Sequence, residues 1–151
     1  MDNTYKITTH SDIETIEVAQ NIESEKFPNM IICLNGDLGS GKTVFAKGFA
    51  SAMGIDEITS PTFNIVKQYY GELPLNHIDV YRTNGDVESL GLDELFHSNG
   101  VTIIEWSEMI EEHLPKERLD IEFKITCENT RVMIIKPYGK KYQALCEEAL
   151  W

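Results

Sequence analysis

Eight residues carry the clearest chemical signal: Gly36-Asp37-Leu38-Gly39-Ser40-Gly41-Lys42-Thr43. They follow the pattern G-x-x-x-x-G-K-[ST], which chance supplies about once in a few hundred chains of this length. Glycines at 36, 39 and 41 let the backbone curl so that successive N–H groups point inward at phosphate oxygens. The N-terminus of a following helix extends that anion cradle as far as Val44. Lys42 brings a point charge to the β- and γ-phosphates of a nucleoside triphosphate. Thr43 offers a hydroxyl to Mg²⁺, which prefers oxygen ligands and binds substrate phosphates. Asp37 and Leu38 fill variable slots, and an acid beside triphosphate is expected to turn its side chain away.

A site of this kind needs an acid at the end of a neighbouring strand to hold the metal, directly or through water. Two segments supply one. Val101-Thr102-Ile103-Ile104-Glu105 is the more apolar, so Glu105 is the first candidate, and Leu75-Asn76-His77-Ile78-Asp79 offers Asp79 as the second. Both could take part. Ser60-Pro61-Thr62 follows the phosphate-loop segment, where nucleotide switches place a threonine over the γ-phosphate. Thr62 is a switch candidate on that ground, although an ordinary proline turn accounts for the local sequence. His77 alternates with Asp79 on one strand face; a lone histidine is more often packed than catalytic. Trp106 could shield the site or simply pack, and Arg82 could reach phosphate or a partner. No Asn-Lys-x-Asp segment, the usual guanine reader, occurs, which favours adenine.

These residues need elements to place them. Residues 30–34 are short, apolar and partly β-branched, which predicts a buried strand leading into the loop. Residues 42–53 predict the helix that the loop opens, ended by Gly54. Before them, residues 5–8 predict an edge strand. Ser11-Asp12-Ile13-Glu14 has capping-box form and starts a helix to about residue 25. Beyond the loop, strands are expected at 63–70 and 75–80, a helix at 87–96, a buried strand at 101–104 and a short helix at 107–113. Strands at 119–127 and 131–136 and a final helix at 141–150 complete the chain. Strands interspersed with helices predict α/β layers, and the two consecutive strand pairs predict a mixed sheet.

The chain has 151 residues, which suits one domain spanning 1–151. Its 42% apolar content supports a core. Twenty-five acids against 13 Lys and Arg give a formal charge of −12. Such a chain repels polyanions, so a direct grip on RNA or DNA is not expected. The three cysteines show no paired or metal-ligand spacing. No apolar run reaches membrane-span length and no signal segment opens the chain, so a cytoplasmic protein without membrane contact is expected.

The loop, together with Ser60-Pro61-Thr62-Phe63, His77-Ile78-Asp79-Val80-Tyr81-Arg82 and Ile104-Glu105-Trp106 in this order, resembles the bacterial TsaE (YjeE-type) family over about residues 5–136. The resemblance implies a three-layer P-loop NTPase domain of the α/β class with a mixed, mainly parallel sheet. It implies slow hydrolysis of Mg-ATP in support of TsaD and TsaB, which threonylcarbamoylate adenosine 37 of tRNA. By the same resemblance Thr43 and Glu105 hold Mg²⁺. Asp79, Thr62 and Lys42 are catalytic or switch positions, and the loop residues Asp37 to Val44 contact ATP. Thr9 or Ser11 and Arg131 lie near the adenine. The resemblance says nothing of residues 137–151, read here as a helical tail.

Two other classes compete. A small-molecule kinase would close an arginine-bearing lid over both substrates, and no inserted lid is visible. A nucleotide-gated binding module would use the same loop without useful hydrolysis.

Overall fold

The computed structural model describes residues 3–56, 58, 66–81 and 90–150. Along the chain run β1 (Tyr5–Thr9), α1 (Asp12–Glu23), β2 (Ile31–Gly36), α2 (Lys42–Ala52), β3 (Val66–Tyr70) and β4 (Pro74–Asp79). They are followed by α3 (Leu92–Phe96), β5 (Val101–Glu105), a 3-10 helix (Ser107–His113), β6 (Arg118–Ile125), β7 (Arg131–Tyr138) and α4 (Lys140–Ala149). The strands form one seven-stranded sheet in the order β1-β7-β6-β2-β5-β4-β3. Its centre, β6-β2-β5-β4, is parallel, and antiparallel pairing adds β7 and β1 at one side and β3 at the other. The sheet is mixed, as expected, with the parallel pairing confined to the centre. The flanking pairs make the antiparallel share equal to the parallel one.

Period-two alternation splits the central strands between two apolar layers. Ile32 and Leu34 of β2 pack with residues of α1, α2 and α4, while Ile31 and Cys33 pack with α3 and the 3-10 helix. This three-layer arrangement buries β2 and β5 on both faces, which is why both read as continuous apolar runs. Gly48 lets α1 and α2 approach closely: a Cβ there would meet Ile16 at 3.1 Å.

Three local features follow from side-chain chemistry. Ser11 caps α1, its hydroxyl accepting from Glu14 N at 3.1 Å. Of the helix expected over 87–96, residues 87–89 lie outside the described residues and Leu92–Phe96 are helical, with Gly91 ahead of them at φ 66° in the left-handed region. A continuous helix through 91 is therefore corrected, because left-handed backbone breaks the helical ladder at that point. Strand β7 runs past Lys136 through Pro137, beyond the expected end. The last β1 partner is Tyr5 opposite Ile135, so Pro137 lies past the end of β1, where its missing N–H costs no ladder bond on that side.

Helix α4 is tied to the sheet by Tyr142, whose hydroxyl accepts from Ile31 N at 2.8 Å in a buried setting. Tyr142→Phe leaves that N–H unsatisfied and should cost ~1–3 kcal/mol in urea unfolding. Burial also pushes Tyr142 from its ordinary 10.0 up to about 12. Cys146 rises likewise from 9.0 to about 12. Both folded values lie above the unfolded ones, so the native state holds these protons longer. Their contribution is complete below about pH 9 and is lost as pH rises towards 12. The phenylalanine variant should show a shallower decline above pH 10.

Candidate functional site

The parallel centre brings the C-terminal ends of β2, β5 and β4 to one edge, the position where open α/β sheets place their ligands. In register, Leu34 of β2 and Asp79 of β4 each lie opposite Glu105 of β5. Strand β2 then runs into the glycine loop, and the loop opens α2. Gly36 cannot be replaced without shifting the sheet: a Cβ there would meet the Phe123 carbonyl oxygen at 2.6 Å. Gly41, the residue ahead of α2, has φ 116° and no side chain caps the helix. The first-turn N–H groups of an α-helix have no intrahelical acceptors, so this end is open to an anion.

Lys42 is buried, yet its ammonium is well supplied with partners. It donates to the Gly36 carbonyl and, at 2.9 Å, to the Asp37 carbonyl. The Trp106 ring lies over it at 4.1 Å. Burial lowers the Lys42 pKa, against the opposing pull of Glu105. Trp106 reaches that place because it takes the left-handed conformation, φ 64°, as the chain leaves β5. For a large aromatic residue this is strained backbone, of order 1–2 kcal/mol. Its N–H donates to the Leu34 carbonyl at 2.9 Å, and its ring packs on Tyr81 with centroids 4.8 Å apart.

Thr43 and Glu105, 62 residues apart, meet directly: the threonine hydroxyl donates to Glu105 Oε1 at 3.2 Å. Glu105 is only 3% exposed, and its Oε2 lies 2.5 Å from His77 Nε2. Asp79 sits beside it and accepts from Tyr81 N at 3.0 Å. Burial raises the Asp79 pKa; the Tyr81 N–H opposes this and the charge of Glu105 adds to it. Arg131 arrives from β7 and donates to the Gly39 carbonyl at 3.3 Å.

A cavity of about 370 Å³ lies between these groups. Its walls include Gly39, Gly41, Lys42, Thr43, Val44, Asp79, Glu105 and Arg131, together with Leu38, Trp106 and Asp12. Of the other expected residues, Asp37 is exposed and Ser40 buried, and neither is among the lining residues. Thr9 is also buried, with its hydroxyl 2.8 Å from that of Thr15, and it is not among the lining residues. Ser11 is occupied as the α1 cap. Thr62 and Arg82 lie outside the described residues. Asp12 is an addition to the expected set; its only sequence signal is its place in the capping box. The His77 contact is another, although the alternation of His77 with Asp79 on one strand is visible in the sequence.

The arrangement combines an open helix N-terminus and two cations with oxygen ligands at one edge. Among the described residues no cluster of three or more His, Cys, Asp or Glu is placed to hold a metal. A divalent ion here would therefore draw on Thr43, Glu105 and ligand phosphate oxygens, the way Mg²⁺ is usually held beside a nucleotide.

Comparison with known proteins decides the family. Residues 9–133 match the family described as "Threonylcarbamoyl adenosine biosynthesis protein TsaE". The chain belongs to the TsaE family. Among its TsaE relatives, the tRNA threonylcarbamoyladenosine biosynthesis protein TsaE of Bacillus subtilis is 47% identical over 137 residues, covering 89% of this chain and 87% of that protein. The protein of the same name from Treponema pallidum is 38% identical over 108 residues, covering 70% of this chain and 80% of its own length. The crystal structure of Bacillus subtilis YdiB superimposes with a TM-score of 0.88 at 43% identity, covering 99% of this chain and 95% of that one. The TsaE fold thus extends beyond residue 136, where the motifs were silent. Among the described residues no helix is long and apolar enough to cross a membrane.

Proposed function

We propose that this TsaE-family chain is the Mg-dependent, slowly hydrolysing ATPase subunit of tRNA threonylcarbamoyladenosine synthesis. In this reading it acts in the cytoplasm on a TsaD–TsaB complex and touches tRNA only indirectly. The observation that carries the proposal is the Thr43–Glu105 contact at the mouth of an uncapped phosphate loop. It unites the two oxygen ligands a nucleotide-bound metal needs with a cradle for the phosphates. Family membership supplies the pathway.

The residues divide the work by position. Gly39 to Val44 present backbone N–H groups to phosphate oxygens, and Lys42 places its charge on the β- and γ-phosphates. Thr43 and Glu105 would hold Mg²⁺. When bound, the ion offsets negative charge on the phosphates. Asp79, which lies beside Glu105 and lines the cavity, would accept a hydrogen bond from the attacking water in this reading. Trp106 covers the Lys42 ammonium. Arg131 borders the cavity at the Gly39 side, where the nucleoside would emerge. Thr62 is assigned the γ-phosphate switch on its sequence position alone.

The charge of −12 supports an indirect relation to RNA, since a basic partner surface would have to carry the polyanion. The test is ATP hydrolysis by the purified chain with and without TsaD–TsaB. Hydrolysis should be slow alone and stimulated by the complex, and the Lys42→Ala variant should fail to support threonylcarbamoylation. Hydrolysis indifferent to the partners, with Lys42→Ala fully competent in tRNA modification, would overturn the reading.

A further inference from the structure

His77 lies on β4 with its side chain wholly buried. Its Nε2 is 2.5 Å from Glu105 Oε2, while Glu105 Oε1 accepts from Thr43. Each oxygen of this buried carboxylate thus has its own partner. The second ring nitrogen, Nδ1, is buried without a hydrogen-bond partner among the described residues. A neutral imidazole has one donor and one acceptor nitrogen. Here the carboxylate accepts, so Nε2 is the nitrogen that donates.

A glutamate carboxyl rotates readily about its last bond, and either oxygen can face a ligand. The two strands hold His77 and Glu105 in fixed relation, since Ile103 opposite His77 and Glu105 opposite Asp79 are in ladder register. His77 therefore anchors one oxygen from within the sheet and leaves Oε1 turned to Thr43 and the cavity. Partners beyond the ligands themselves commonly set ligand orientation in metal sites.

We infer that His77 is a positioning residue that fixes Glu105 through an Nε2–H bond, so that Oε1 faces the metal beside Thr43. The inference rests on the Mg·ATP reading of the site. It differs from simple core filling because it needs a donor at the Nε2 position, not merely volume.

The test compares His77→Met, which fills the space without a donor, with His77→Gln, whose amide NH₂ reaches the same position. ATP binding is titrated calorimetrically at a series of free Mg²⁺ concentrations and in EDTA. His77→Met should need roughly 10–100-fold more Mg²⁺ for half of the metal-dependent gain in affinity. Its metal-free ATP affinity should stay near wild type, and His77→Gln should recover most of the Mg²⁺ response. Equal Mg²⁺ response in wild type and His77→Met overturns the inference, as does a glutamine variant no better than methionine. Wild-type histidine ¹⁵N NMR provides a check independent of any variant's folding: a protonated Nε2 is expected, and a bare Nε2 contradicts the inference. If wild-type ATP binding ignored Mg²⁺ altogether, the site reading itself would fall, an outcome distinct from a variant-specific one.

Discussion

Replacing Lys42 with alanine should reduce ATP hydrolysis by about 10²–10³-fold, the scale on which a preorganised charge at reacting phosphates acts. The geometry explains why so much rests on one side chain. An ammonium has three donors. Two of them are taken by the Gly36 and Asp37 carbonyls, which pins the head over the loop. The Trp106 ring lies over the same ammonium, and Lys42 is among the residues that line the cavity. Alanine removes both the pin and the charge. Discrimination between ATP and ADP should therefore collapse, because this ammonium is the group that a γ-phosphate would engage. Folding should survive, since burial already disfavours this ammonium and lowers its pKa. Calorimetry with ATP and ADP checks the point, and an unchanged affinity ratio in a folded variant would count against the role given to Lys42.

The second large effect is expected at Glu105. Its alanine variant should lose about 10²-fold in Mg-dependent hydrolysis while binding metal-free nucleotide nearly as before. The carboxylate is the buried partner of both Thr43 and His77, so alanine also strands a histidine nitrogen. That alone should destabilise the fold by ~1–3 kcal/mol. Glu105→Gln separates the two effects, since it keeps the volume and a hydrogen-bonding oxygen but removes the charge. It should remain folded and still respond poorly to Mg²⁺. Asp79→Ala is the essential comparison, because Asp79 occupies the adjacent register position on β4. A full Mg²⁺ response in Glu105→Ala with none in Asp79→Ala would reverse the assignment.

Much of this site is legible without the fold. The glycine loop lies between a continuous apolar run and a helical pattern, so local sequence fixes both its shape and its exits. The acids at 79 and 105 each end an apolar run, and the sheet places both at the same edge. What escapes the sequence depends on contacts between distant segments. Arg131 meets the loop only because β6, parallel beside β2, turns back into the antiparallel β7. His77 touches Glu105 across 28 residues, through a parallel pairing that no local pattern reveals. Trp106 lies over Lys42 because its backbone turns left-handed, a conformation seldom expected of tryptophan. The resemblance points to a nucleotide contact at Thr9 or Ser11, and the Thr9 hydroxyl is paired with that of Thr15 inside the fold.

The fold follows the same division. Alternation and capping locate most elements to within a residue or two, Ser11 ahead of α1 being a clear instance. The order of the strands is a tertiary property, decided by which apolar faces the helices cover. Gly91 shows how one residue can interrupt a pattern that otherwise reads as helix.

The central claim is that the loop, Lys42, Thr43 and Glu105 form a Mg·ATP site. Isothermal titration of the wild-type chain with ATP and GTP, each with and without Mg²⁺, tests it most directly. Saturable binding of ATP at one site per chain, strengthened by Mg²⁺ and preferred over GTP, is the predicted result. Failure to bind ATP, or binding that ignores Mg²⁺, would contradict the account.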